Sequence, residues 1–180
     1  MKKILAFLMI LGFASSSCEP DDICDPTTPT TPRMLIQFFD VKDPSTAKNV
    51  SKLKVIGVGK DEEGVILNPS ASGDQKYVTS GNSILLPLNT ESDVVKYRLI
   101  SNYDNKNPLL VNEDILEFKY TRQSSYVSRA CGFKTIFELD DTNPYKLTDK
   151  TPADTMWIQY VRVEQNNITS ENETIIKIFI

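Results

Sequence analysis

Val94-Val95-Lys96-Tyr97-Arg98-Leu99-Ile100 is the stretch that decides the fold class. Val95, Tyr97 and Leu99 alternate with Lys96 and Arg98. Successive side chains of an extended backbone point to opposite faces, so the alternation describes a strand with one dry and one wet side. The pattern returns twice further along. Leu116, Phe118 and Tyr120 oppose Glu117, Lys119 and Thr121, while Phe133, Thr135, Phe137 and Leu139 oppose Lys134 and Glu138. Toward the N-terminus, Met34-Leu35-Ile36-Gln37-Phe38-Phe39 is almost continuously apolar and stops at Asp40, before the turn residues Asp43-Pro44-Ser45. That composition suits a central strand. Further short runs at 52–58, 65–67, 76–79 and 83–88 are separated by Gly64, Gly73-Asp74 and Ser80-Gly81-Asn82. Residues 156–164 and 174–180 supply the last two strands, joined by a polar loop at 165–173. Trp157 and Tyr160 fall on opposite sides of the first of these, one facing the core and the other an exposed edge or sugar platform.

No stretch holds helical spacing over an ordinary helix length. Seven to ten short strands with frequent turn residues predict an all-β chain. The expected architecture is a two-layer antiparallel β-sandwich, immunoglobulin-like or transthyretin-like.

The first residues speak to address. Lys2 and Lys3 precede an apolar run, and Ala14-Ser15-Ser16-Ser17 gives small residues up to Cys18. The run is too short for the roughly 20 residues that span a bilayer, so it reads as an export signal. Its form resembles a bacterial lipoprotein signal, in which Cys18 is lipidated and becomes the first residue; the alternative is an ordinary cleaved secretory signal. The division expected is a signal peptide at 1–17, a lipidated Pro/Thr/Asp-rich tether at 18–32 and one β-sandwich domain at 33–180. Asp21 and Asp22 behind the anchor resemble the surface-export tag of some lipoproteins, against simple solvation of the tether. The expected location is the bacterial cell envelope, on an outer membrane lipoprotein facing the periplasm or the surface.

Without its signal the chain carries 18 basic and 24 acidic side chains, a formal charge of −6. A surface of that sign offers nucleic acid no long-range attraction, and no basic cluster with interleaved aromatics occurs. Nucleic acid is therefore not an expected partner. Once Cys18 is committed to lipid, Cys24 and Cys131 remain as an even pair in an oxidising compartment. A disulfide between them is expected, with two free thiols as the alternative.

The chain contains no histidine. That removes Ser-His-Asp and Cys-His arrangements, imidazole bases and His-containing zinc sites. Ser45-Thr46-Ala47-Lys48 matches an S-x-x-K pattern with Ser80-Gly81-Asn82 as an S-x-N, but the turn at Asp43-Pro44 and the absence of a K-T-G strand argue against a serine enzyme. Carboxylates at Asp61-Glu62-Glu63, Asp104 and Asp140-Asp141 all precede or sit in turns, and none follows the spacing of a calcium loop. No catalytic residue, metal ligand or cofactor is assigned. Sequons at Asn167 and Asn172 and the short Asp154-Thr155-Met156 motif carry little weight.

Cys18-Glu19-Pro20-Asp21-Asp22-Ile23-Cys24, Thr30-Thr31-Pro32-Arg33, Tyr120-Thr121-Arg122-Gln123, Tyr126-Val127-Ser128-Arg129-Ala130-Cys131-Gly132-Phe133-Lys134, Trp157-Ile158-Gln159 and residues 167–174 together resemble an uncharacterised bacterial lipoprotein family, domain of unknown function six-four-five-two. The resemblance covers nearly the whole mature chain and implies no activity. The expected role is a non-catalytic, lipid-anchored envelope protein, held to the membrane at Cys18 and scaffolding an unknown envelope protein or glycan. Arg122 and Arg129 are its tentative contact residues, against cross-strand pairing with nearby acids. The alternative is a small carboxylate-based glycan-acting enzyme or small-ligand carrier.

Overall fold

The computed structural model describes residues 23–28 and 30–180. Cys18 and the rest of the expected signal lie outside the described residues. The chain falls into two units, one of residues 23–28 with Ser125–Lys134 and the other of residues 30–124 with Thr135–Ile180.

The larger unit is a sandwich of two sheets. One has the order β4 (Ser83–Leu86), β1 (Met34–Phe39), β11 (Thr174–Phe179), β9 (Tyr160–Val163). The other runs β10 (Asn167–Ile168), β7 (Gly132–Leu139), β6 (Asn112–Ser128), β5 (Val94–Ser101), β2 (Leu53–Gly57), β3 (Val78–Thr79), with β8 (Tyr145–Asp149) also paired to β6. The apolar Met34–Phe39 run does occupy a central position, between β4 and β11. Its pairing with β11 is parallel, whereas β4 on its other side and β9 beyond β11 are antiparallel.

The alternation read from β5 and β6 is what builds the core. Tyr97 and Leu99 from β5 and Leu116, Phe118 and Tyr120 from β6 pack with Met34, Ile36 and Phe38 from β1 and Ile176 and Ile178 from β11. Each such side chain withdrawn from water contributes about 1.5–3 kcal/mol. Lys96 and Arg98 lie on the outer face, where Lys96 pairs with Glu117 at 2.8 Å and Arg98 with Glu113 at 2.6 Å and Glu62 at 2.9 Å. Tyr120 adds a polar clamp: its hydroxyl accepts the Asn89 N–H at 2.8 Å and donates to the Asn89 carbonyl at 3.0 Å.

Several local expectations need correction. Phe133, read as part of a dry face, is 68% exposed; it belongs to the smaller unit. β10 forms inside the polar loop expected at 165–173, and β8 forms in a stretch given no strand from sequence, although Tyr145 and Leu147 do alternate with Lys146 and Thr148. Residues 65–67 form no strand, and Met156 to Gln159 are irregular because the Ile158 N–H goes to the Asp114 side chain instead of a ladder. Trp157 packs beside Phe38 and donates its ring N–H to the Leu99 carbonyl, while Tyr160 stacks on Phe179 with centroids 4.1 Å apart. Pro32 is already buried, and Arg33 is held by Glu171 through its side chain and its backbone N–H.

Candidate functional site

In the smaller unit, Cys24 and Cys131 form the expected disulfide, with Cα atoms 4.8 Å apart across 107 residues of sequence. The hairpin turn that presents Cys131 is shaped locally. Ser128 Oγ accepts the Cys131 N–H at 3.0 Å, and Gly132 takes the left-handed φ of +70°. On the N-terminal side, the Asp25 carboxylate accepts the Thr27 N–H and hydroxyl, which hold its pKa below the ordinary carboxylate value, and Thr28 N–H closes the turn on the Asp25 carbonyl. Tyr126 and Phe133 meet edge to face at 5.4 Å and are 61% and 68% exposed.

The two tentative contact arginines belong to different units. Arg122, in the sandwich, donates to Asp93 and to the Thr90 carbonyl, both at 2.6 Å, so much of its guanidinium is committed within the fold. Arg129 belongs to the hairpin unit and also has a partner of its own.

The most unusual chemistry sits on side chains that the sequence reading passed over. Counting back by twos from Leu116, Asp114 and Asn112 continue the inward-facing row of β6. Asp114 lies directly opposite Asp149 of β8, just as Leu116 lies opposite Leu147 and Phe118 opposite Tyr145. Opposed residues on one sheet face hold their Cβ atoms about 4.5–5.5 Å apart, so two carboxylates share one end of the core face. Asp114 is fully buried.

Each carboxylate uses one oxygen to hold the segment that follows β8. Asp114 Oδ2 accepts the Ile158 N–H at 2.8 Å. Asp149 Oδ2 accepts the N–H groups of Asp154 at 3.2 Å and Thr155 at 3.0 Å. Asn112 Nδ2 donates to the Thr155 carbonyl at 2.5 Å. Thr155 is thus gripped on both sides of its α-carbon and sits at φ +79°, a region that β-branched residues rarely enter. The remaining oxygens, Asn112 Oδ1, Asp114 Oδ1 and Asp149 Oδ1, are buried without a hydrogen-bond partner. Burial pushes the Asp114 carboxyl up to about 6, the charges of Asp149 and Asp154 push the same way, and the amides of Ile158 and Trp157 oppose them.

Sequence reasoning missed this group because it opened the strand at Leu116, leaving Asp114 in front of it. The available signal was the polar pair Asn112 and Asp114 in phase with Leu116, Phe118 and Tyr120.

The residues singled out earlier are engaged otherwise. Ser45 Oγ donates to Asp43 at 2.7 Å, and Lys48 reaches Asp40 at 3.4 Å and the Ile180 carbonyl at 3.0 Å. Asp140 accepts the N–H groups of Thr142 and Asn143, which lower its pKa. Glu62 pairs with Arg98, and Glu63 accepts the Tyr77 hydroxyl. Three surface hollows are found on the sandwich among the described residues, one around Lys60, Asp61, Glu63 and Tyr97, one around Lys54, Glu62, Asp74 and Tyr103, and one around Arg122, Gln123, Glu138 and Asn167; Asp114 and Asp149 line none of them.

The model of a family of unknown function, DUF6452, matches residues 52–180. The chain belongs to that family. The DUF6452 match takes in β2 to β11, with Cys131 and the Asn112, Asp114 and Asp149 cluster, and leaves β1 and Cys24 before its start. Neither curated proteins nor solved structures give a match.

Proposed function

We propose that this DUF6452 chain is a non-catalytic, lipid-anchored protein of the bacterial cell envelope, displaying its sandwich as a binding or assembly scaffold for a protein or glycan partner. The observation that carries the reading is the Cys24–Cys131 disulfide. Such bonds persist in oxidising compartments, which agrees with an export signal at residues 1–17. The bond also gives the tether a mechanical sense. Cys24 lies six positions after Cys18, a fully extended reach of about 20 Å, whereas the fifteen positions from Cys18 to Arg33 would reach about 50 Å. A hairpin pinned at Cys131 is therefore held close to a membrane that carries a lipid on Cys18.

The non-catalytic part of the reading is supported by the absence of histidine and by the local engagement of the Ser45, Lys48 and turn carboxylates. The carboxyl with raised proton affinity, Asp114, is a core group and lines none of the three hollows.

In-cell photo-crosslinking from the exposed position 133 tests the scaffold role. The expected result is repeated recovery of one envelope protein or glycan. Failure to recover any such component repeatedly would contradict it.

A further inference from the structure

Among the described residues, no member of the buried core cluster belongs to the smaller unit, yet that unit holds large apolar side chains at its surface. Tyr126 and Phe133 meet edge to face and remain 61% and 68% exposed. Ile23 is 80% exposed. It adjoins Cys24, whose Cα is 4.8 Å from that of Cys131, so the disulfide brings it within about 9 Å of the turn between the two rings. Large apolar side chains gathered at a surface mark a contact with a protein or with a lipid layer.

The tether favours the lipid layer. Cys24 stands six positions after Cys18, so a lipid on Cys18 holds this patch within about 20 Å of the membrane surface. A contact too weak to form from solution can form at the effective concentration that so short a link imposes.

Charge selects the kind of lipid surface. Ser125–Lys134 contains no carboxylate, so its approach to the headgroups strips no anion of water, and the long stems of Arg129 and Lys134 let their charges stay hydrated. Glu19, Asp21, Asp22 and Asp25 on the tether outnumber those two cations, which removes any net attraction to anionic headgroups. Tyrosine, with an apolar ring and a polar tip, suits the level where the hydrated and apolar layers meet.

We infer that Ile23, Tyr126 and Phe133 form a second membrane contact, seated in the zwitterionic headgroup layer of the membrane that holds Cys18. The inference rests on the lipid-anchor reading and deepens it. The contact turns the disulfide-bonded hairpin toward the lipid, and a protein or glycan reached from position 133 then lies at that same surface.

The test imposes the anchor chemically. The mature chain, residues 18–180, is coupled through the Cys18 thiol to a maleimide lipid in phosphatidylcholine vesicles, since the Cys24–Cys131 bond leaves Cys18 as the sole free thiol. A photoactivatable phenylalanine replaces Tyr126, and lipid adducts are counted by mass spectrometry. The expected result is adduct formation that is insensitive to salt and falls at least about five-fold when Ile23→Ser and Phe133→Ser are combined. Both side chains are exposed, so the double variant should keep the wild-type melt. An anchored chain that gives no lipid adduct would overturn the inference and leave the patch to a protein partner. Adducts undiminished in the double variant would overturn it too, because proximity on the tether would then explain them. With the link to lipid made chemically, failure here is distinct from failure of the native anchor, which the mass of the cell-derived protein reports.

Discussion

Asp114 ties one buried carboxyl to the pH dependence of the whole domain. Its pKa rises from 3.8 to about 6 because the core desolvates it and Asp149 and Asp154 face it, Asp154 being itself paired with Lys150. A raised carboxyl pKa means that the native state holds the proton more tightly than the unfolded chain. Stability should therefore fall as pH rises from about 4 to about 6 and level off above, by up to about 3 kcal/mol. Denaturant melts across that range check this, and Asp114→Asn should flatten the profile. Tyr120 supports a second prediction at this scale. Tyr120→Phe keeps the packing but leaves the Asn89 N–H and carbonyl without their clamp, and should cost about 1–3 kcal/mol in an equilibrium melt. Neither role was legible in sequence. An inward Asp is readable only once the strand is known to begin before it, and its partner Asp149 is known only from the β6–β8 register.

Among the elements, legibility followed the length of the alternation. β5 and β6 announce themselves because a run of in-phase apolar residues leaves one face dry, and Met34–Phe39 because both its sides are apolar. The five residues of β8 and the two of β10 give too short a period to separate from loop, and their existence depends on the edges of β6 and β7 that receive them. Phe133 shows the reverse failure: its alternation continues past the point where anything covers it. The hairpin that carries it is secured covalently to Cys24. Replacing both cysteines by serine should destabilise the chain by about 2–4 kcal/mol and speed amide exchange through residues 125–134, with the Asp114 profile unchanged. Exchange rates equal to wild type in that hairpin would show that the bond is not what orders it.

For the whole molecule, composition and pattern already specified an acidic, histidine-free, all-β chain, and the two packed sheets agree with the all-β part of that. The parallel β1–β11 pair was not foreseeable, since alternation tells which face is dry and not which way a neighbouring strand runs. The proposed address rests on residues 1–18 together with a disulfide that favours an oxidising compartment. It is also the claim on which the scaffold role depends. Intact mass spectrometry of the protein isolated from its native membrane tests it most directly. The account predicts an acylated polypeptide beginning at Cys18, and an unacylated chain that still begins at Met1 would contradict it.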